Sequence, residues 1–297
     1  MPEKREFPAA QLTSLILFIA SSIFAVYLAS IAYSIEPSVS ASSTTSGFGY
    51  VIYYLVAAIV FSVALIFLAR RFKLNFLKWL FVAAIALMVF YVWNYLGLVI
   101  ANTYDEYYVI IIAAPAIMVL ALVFHNRWYV VNIAGFFLTS GMAFVLGFLL
   151  GLWAAAVFLA AFAIYDYISV YKTKHMIGLA KIAIDRDLPM LFVFPTDFSK
   201  KVGKIEITDE GVAEHAAMAL GFGDVAFPGI MVVASAIYGL KINHFIPFFI
   251  LPLLGGIVGM IYLVLGNVKK PAPGLPFLNT GVIAGTLLSY LIFVVIL

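Results

Sequence analysis

Two acidic residues lie inside apolar stretches long enough to cross a lipid bilayer, and these two are the best candidates for chemistry. Asp166 follows Tyr165 in the run 161–171, and Asp224 ends the tetrapeptide Gly221-Phe222-Gly223-Asp224. The remaining acidic residues all fall outside the apolar stretches. Because a charge at membrane depth costs several kcal/mol, the sequence singles out Asp166 and Asp224 as functional candidates.

A pair of carboxyl groups in one site suits hydrolysis by acid and base. Two such groups cannot both ionise easily, so one of them keeps a proton. The ionised group takes a proton from water while the protonated group donates to the oxygen of the scissile carbonyl, which gives a tetrahedral diol. Since the pair titrates as a unit, neither residue is assigned a separate role. The pattern predicts peptide hydrolysis inside the membrane.

The two carboxyl groups are expected to lie at similar depth. Asp166 lies six residues before Lys172, and Asp224 lies nine residues after His215. At roughly 1.5 Å per residue, both lie about 9–14 Å below the same surface. The two helices run in opposite directions, and packed helix axes are about 8–10 Å apart. Neighbouring helices would therefore bring Asp166 and Asp224 together around a shared water.

Small residues surround Asp224. Ala217, Gly221, Asp224 and Pro228 recur at helical spacing and are expected to share one face, with Gly223 beside it. Small residues let neighbouring backbones approach in lipid, and Pro228 leaves the carbonyl of Asp224 without its helical donor. The pattern predicts a loosened helix start beside which an extended peptide could lie. On the other helix, Tyr165 could offer its hydroxyl beside the acid.

The composition excludes a soluble protein. Of 297 residues, 65% are hydrophobic and 10% are charged, whereas a soluble domain has about 25% charged residues. The basic residues are scattered over short loops, so no nucleic-acid partner is expected. The chain has no cysteine, and its four histidines lack ligand spacing. We therefore expect no metal and no cofactor.

A helix needs roughly 20 apolar residues to span a bilayer, and nine apolar segments are long enough. The sequence therefore predicts an all-α polytopic membrane protein. The distribution of Lys and Arg predicts a cytosolic N-terminus and an extracytosolic C-terminus. In this topology sixteen of the seventeen basic residues lie on the cytosolic side, and Lys241 alone lies on the opposite side. The predicted spans are 11–34, 50–69, 78–100, 107–124, 128–149, 152–171, 217–239, 245–265 and 277–297.

Three parts are predicted along the chain. Residues 1–171 form a six-helix part carrying Asp166, residues 172–216 form a cytosolic loop, and residues 217–297 form a three-helix part carrying Asp224. The loop is either a solvated connector or a substrate-docking segment that offers a strand edge. Within it, the alternation over 204–208 is typical of a short exposed strand.

At these residues the sequence resembles the presenilin and signal peptide peptidase family of intramembrane aspartyl proteases, most closely the archaeal presenilin homologues. The family's tyrosine-aspartate pair matches Tyr165-Asp166, and its glycine-x-glycine-aspartate motif matches Gly221 to Asp224. Its proline-alanine-leucine-proline motif resembles Pro273-Gly274-Leu275-Pro276, where glycine replaces alanine. The motifs occur in the family's order on the sixth span, the seventh span and the approach to the ninth.

The resemblance implies an aspartic endopeptidase whose catalytic residues are Asp166 and Asp224. It also implies that Gly274, Leu275 and Pro276 shape the site beside them, together with Tyr165 and the Gly221–Gly223 segment. The implied substrates are single-span membrane proteins with a cytosolic C-terminus, cut within or near the bilayer. The implied location is the cell membrane of a microbe, where the enzyme would work without partner subunits.

Several alternatives stay open on the sequence. Paired intramembrane acids also serve proton-coupled transporters and channels, and prepilin or preflagellin peptidases use a glycine-x-x-aspartate site. Neither a His-Glu-x-x-His nor a glycine-x-serine-glycine motif occurs, which argues against zinc and rhomboid-type serine proteases. Glycine pairs four residues apart favour helix packing or self-association into a homo-oligomer; they are Gly147/Gly151, Gly255/Gly259 and Gly281/Gly285.

Overall fold

The structure is a computed structural model, and the part of the chain that it describes consists of residues 9–36, 49, 52–53, 56–57, 60, 75–125, 127–171, 189–195, 207–208, 211–212, 217–266 and 274–296. Within these ranges, eight helices are long and apolar enough to cross a membrane. Most of the predicted span 50–69, most of the predicted loop 172–216 and Pro273 lie outside the described residues. A count of nine spans therefore stays a prediction, whereas the all-helical membrane fold is confirmed.

A π-helical segment, Leu291–Ile296, continues the last of the described helices. The helices are α1 (Ala9–Ile35), α2 (Asn75–Ile100), α3 (Tyr104–Phe124), α4 (Trp128–Leu150), α5 (Leu152–Tyr171), α6 (Phe222–Lys241), α7 (Phe245–Gly266) and α8 (Leu275–Tyr290). The strands are β1 (Leu191–Pro195), β2 (Ile207–Thr208), β3 (Gly211–Val212) and β4 (Ala217–Gly221).

Helix α6, which carries Asp224, lies at the centre of the bundle. It contacts α1, α4, α5, α7 and α8, and most of its residues are buried. Close approach explains the burial: a Cβ added at Gly147 of α4 would lie 2.7 Å from the carbonyl oxygen of Ile230 on α6. Small residues allow backbones to pack this closely where lipid supplies no hydrophobic drive between helices. The central position holds Asp224 among protein neighbours.

Helices α7 and α8 also pack through glycine. A Cβ added at Gly255 would overlap the carbonyl oxygen of Gly281, and one added at Gly259 would lie 2.7 Å from the carbonyl oxygen of Phe277. Helix packing inside the chain is thus the use that the structure shows for these glycines. Because α8 begins at Leu275, its packing on α7 helps to place the segment beside the two acids.

A pair of antiparallel strands precedes α6, and the structure differs there from the sequence prediction. Residues 217–221, predicted to be helical, form β4, which pairs with β1 from Leu191↔Gly221 to Pro195↔Ala217. Helix α6 begins only at Phe222. Glycine at position 221 disfavours helix, and strand pairing satisfies the backbone of 217–221 instead. Ala217 therefore does not share a helical face with Asp224. In the loop, Ile207–Thr208 pairs with Gly211–Val212.

Candidate active site

Asp224 lies in the first turn of α6, immediately after the strand pair β1–β4. Gly221 is the residue that caps the helix, and its backbone N–H donates a hydrogen bond to the Asp224 carboxylate. This contact is half of a capping box, in which an early helical side chain reaches back to the capping residue. The positive end of the helix dipole also favours a carboxylate at this position. Local structure therefore orients Asp224.

Asp166 lies near the end of α5 and faces the start of α8. Its side chain is only 3% exposed, and its Oδ2 accepts a hydrogen bond of 3.2 Å from the backbone N–H of Leu275. Leu275 is the first residue of α8, so this N–H has no partner within the helix. The carboxylate satisfies that donor and gains from the dipole of α8.

The segment Gly274-Leu275 joins the two acids. A Cβ added at Gly274 would lie 2.7 Å from Oδ1 of Asp224, while the N–H of the next residue donates to Asp166. Asp166 and Asp224 are close enough to interact electrostatically, and their helices are in contact. The structure thus brings together the two acids and the Gly274-Leu275 segment that the sequence singled out. Pro276 occupies the first turn of α8, where the fixed φ of proline is favourable.

Aromatic rings hold α5 against α6 next to the acids. The Phe227 ring lies 4.5 Å from that of Phe162 and 6.0 Å from that of Phe158. Tyr165 is 37% exposed, and its ring meets Phe162 edge-on at 6.3 Å. A Cβ added at Gly223 would lie 3.4 Å from Phe227, an ordinary contact. This cluster fixes the separation of the two acid-bearing helices.

Phe222, next to Gly223, anchors the junction between β4 and α6. Its side chain is buried, and its ring lies 4.6 Å from that of Phe192 on β1. The Phe222 N–H also donates to the carbonyl of Met190 at 3.2 Å. Phe222 therefore ties the start of α6 to the strand pair.

Asn279 is a polar residue of this region that the sequence analysis did not single out. It is fully buried, and its Nδ2 donates to the carbonyl of Leu159 on α5 at 3.0 Å. Asn279 lies one turn after Leu275, and Leu159 lies two turns before Asp166, so the bond ties together the helices whose ends meet at that acid. A single amide within the apolar run of α8 was the available signal.

We expect Asn279→Leu to lower kcat/KM about tenfold, because a loosened α8 start misplaces the Leu275 N–H that holds Asp166. Thermal stability should change little, because the Oδ1 of Asn279 lacks a hydrogen-bond partner among the described residues and the leucine removes that buried group as well. Thr286→Val is the control, since among the described residues its hydroxyl bonds to the Val282 carbonyl of its own helix and to no other helix. Steady-state cleavage rates and thermal unfolding check the prediction, and native-like kinetics for Asn279→Leu contradict it.

Comparisons with known proteins identify the family and the fold of this chain. The model of the family described as signal-peptide peptidase, presenilin aspartyl protease matches residues 15–295. Two crystal structures of a presenilin family intramembrane aspartate protease, in space groups C222 and P2, share the fold. Their TM-scores are 0.68 and 0.65, each at 24% identity. The C222 match covers 95% of this chain and 99% of that one, and the P2 match covers 97% and 100%. No curated protein matches the sequence.

The family match includes every helix that contributes to the site. Residues 15–295 contain α5 with Asp166, α6 with Asp224 and the start of α8. The match therefore does not rest on the apolar composition of one region, and it confirms the resemblance seen in the motifs. It does not favour the transporter and prepilin-peptidase alternatives. The chain belongs to the signal-peptide peptidase and presenilin family of aspartyl proteases, and is thus an aspartic endopeptidase that acts within the membrane.

Proposed function

We propose that this protease hydrolyses peptide bonds within or near the transmembrane segments of single-span membrane proteins, with Asp166 and Asp224 as a dyad that activates water. One observation carries the proposal: consecutive residues, Gly274 and Leu275, contact Asp224 and Asp166 respectively. Two acids that served separate structural roles would have no reason to meet at one segment. The arrangement supports a shared site.

The surroundings of the dyad suit a pair that holds one proton and one negative charge. The N–H of Leu275, the first residue of α8, donates to Asp166, and the N–H of Gly221, the capping residue of α6, donates to Asp224. Helix starts of this kind stabilise negative charge. The charge on one carboxyl in turn favours the protonated form of its neighbour. In the proposed reaction the ionised carboxyl takes a proton from water, and the protonated carboxyl donates to the carbonyl oxygen of the scissile bond.

The outer edge of β4 is the proposed docking place for substrate. The Phe222 N–H donates to the carbonyl of Met190. In an antiparallel ladder, hydrogen-bonded pairs alternate with pairs that are not hydrogen-bonded. The Phe192–Leu220 pair is therefore hydrogen-bonded, and the Val193–Ala219 pair is not. The N–H and C=O of Ala219 therefore point away from β1. An extended substrate segment could pair with these groups, and β4 leads directly into the turn that carries Asp224.

We further propose the topology that the charges predict: nine spans, a cytosolic N-terminus, an extracytosolic C-terminus and a dyad near the cytosolic side, in the cell membrane of a microbe. The six-helix part, 1–171, and the three-helix part, 217–297, would then each supply one acid. Single cysteines introduced at Asn102 and at Lys269 of this cysteine-free chain test the topology by labelling. Impermeant reagent should reach position 102 from outside intact cells and position 269 only from inside.

The function itself is tested with purified protein in lipid vesicles and a labelled single-span substrate. Two products should accumulate with time, and a hydroxyl-containing transition-state mimic of peptide hydrolysis should block their formation. A chelator should leave the rate unchanged, because the proposed chemistry uses only carboxyls. Cleavage that a chelator or a serine-directed reagent abolishes, but the mimic does not, contradicts the proposal.

Cleavage should depend on pH as a bell-shaped curve. At low pH both carboxyls carry protons and no base remains, whereas at high pH both are ionised and no acid remains. We expect kcat/KM to fall about tenfold per pH unit on each flank. Rates measured across pH 4–10 check this, with unfolding followed at each pH so that loss of structure is not mistaken for titration. A rate that rises to a plateau on one side indicates a single essential group and contradicts a coupled pair.

A further inference from the structure

Asn132, near the start of α4, bonds to the backbone of β1 through both ends of its side-chain amide. Its Nδ2 donates to the carbonyl oxygen of Val193 at 2.9 Å, and its Oδ1 accepts from the Val193 N–H at 2.9 Å. A primary amide offers one donor and one acceptor side by side, as a strand residue does. Asn132 thus takes the place of a neighbouring strand at this point of β1.

This contact decides which edge of the strand pair is open. Val193 faces Ala219 in the ladder without bonding to it, so its N–H and C=O point to the edge opposite β4. Asn132 occupies both groups on that edge. Within the described part of the chain, β1 and β4 form a sheet of two strands only. An added strand would therefore have to displace Asn132 at β1, but not at β4.

Gly135, one turn further along α4, packs against aromatic rings of β1 and α6. A Cβ added there would overlap the ring of Phe222 and would lie 2.7 Å from Cε1 of Phe192, which is fully buried. Helix α4 therefore contacts the backbone of β1 at Asn132 and the rings of β1 and α6 at Gly135. These contacts fix the level of the strand pair along α4.

We propose that Asn132 is a positioning residue that determines which peptide bond of the substrate reaches the dyad. By closing the β1 edge and fixing the level of the strand pair, it directs the substrate strand to β4 in one register. The inference rests on the proposed docking of substrate at β4. A strand that slips by two residues keeps the same side chains on each face, so loss of Asn132 should move cleavage in steps of two residues.

The test is Asn132→Leu, which removes both hydrogen bonds at similar side-chain volume. Products from one labelled single-span substrate are measured by mass spectrometry together with KM and kcat. We expect a second cleavage position two residues from the native one, and kcat/KM about tenfold lower from the loss of two hydrogen bonds, mostly through KM. Asn132→Asp, which keeps the acceptor for the Val193 N–H, should give a smaller share of the displaced product.

The matched control is Asn94→Leu. Asn94 of α2 also bonds between helices, accepting from the Tyr107 hydroxyl of α3 at 2.6 Å. This variant should lose stability without changing the cleavage position. If Asn132→Leu cleaves only at the native position, or if Asn94→Leu displaces the cut equally, the inference is overturned.

A measurement on the unmodified protein covers the case in which the Asn132 variants do not fold. Hydrogen exchange resolved to single amides should show the Val193 N–H protected with and without a bound substrate-like peptide, since Asn132 already holds it. The Ala219 N–H should become protected only with the peptide. Protection of Val193 that appears only with the peptide overturns the inference. Failure of the function itself would appear differently, as cleavage that does not require Asp166 or Asp224.

Discussion

Asp166→Asn and Asp224→Asn should each abolish cleavage, with rates at least roughly 10²–10⁴-fold lower, while the protein stays folded. An amide can neither take a proton from water nor donate one as a carboxylic acid does. It can still accept the hydrogen bonds that the two sites show: from Leu275 at position 166 and from Gly221 at position 224. The loss of activity would therefore report chemistry and not the loss of a helix cap.

The comparison needs a substitution of the same kind outside the site. Asp105→Asn serves, because Asp105 is an exposed acid in the first turn of α3. It should cleave like the native protein. Single-turnover cleavage in vesicles and thermal unfolding are measured for all three variants. Substantial activity in either dyad variant, with native-like unfolding, excludes the aspartyl mechanism for this chain.

The two acids of the proposed dyad could be singled out from the sequence because lipid makes a buried charge costly. A soluble protein of this length would have many acids at unremarkable positions, but here Asp166 and Asp224 stand alone in apolar runs. The Gly274-Leu275-Pro276 segment could be found only through its resemblance to a family motif. Nothing in its local composition says that its two backbone contacts, to Asp224 and to Asp166, come from distant parts of the chain.

The strand β4 could not be predicted from its own residues. Residues 217–221 are small and apolar and continue the hydrophobic run of α6, so a pattern based on span length extends the helix through them. The choice of strand depends on pairing with β1, which lies some twenty residues away in the sequence. Non-local pairing of this kind overrides local preference, and it moves Asp224 into the first turn of its helix.

Asn132 and Asn279 were missed for a related reason. Each is a single amide in an apolar helix, a pattern that fits many roles, and its partner lies on a distant segment: Val193 for the first and Leu159 for the second. Buried amides in a membrane protein need such partners, because an unpaired polar group in lipid is costly. A search for isolated amides in the predicted spans would have marked both residues.

Gly274→Leu should lower cleavage about 100-fold or more, the cost expected of a misplaced reacting group. The first added carbon would already lie 2.7 Å from Oδ1 of Asp224, closer than van der Waals contact allows. Either the carboxyl group must rotate away or the start of α8 must shift, and a shift would also break the Leu275 bond to Asp166. Either change disrupts the relative positions of the two carboxyl groups.

Gly274→Ala separates the size of the side chain from the loss of glycine. Alanine is the residue that the family motif has at this position, so the site should adapt to one carbon by a small movement of Asp224. Cleavage should fall only a few-fold, a much smaller loss than in the leucine variant.

Gly97→Leu is the control for crowding alone, because its first added carbon would meet Tyr107 of α3 at 3.0 Å. It should lower thermal stability but keep the activity of each folded molecule. Equal losses of specific activity for Gly274→Leu and Gly97→Leu would show that the close contact of Gly274 with Asp224 does not matter for cleavage, because crowding elsewhere in the bundle would then have the same effect.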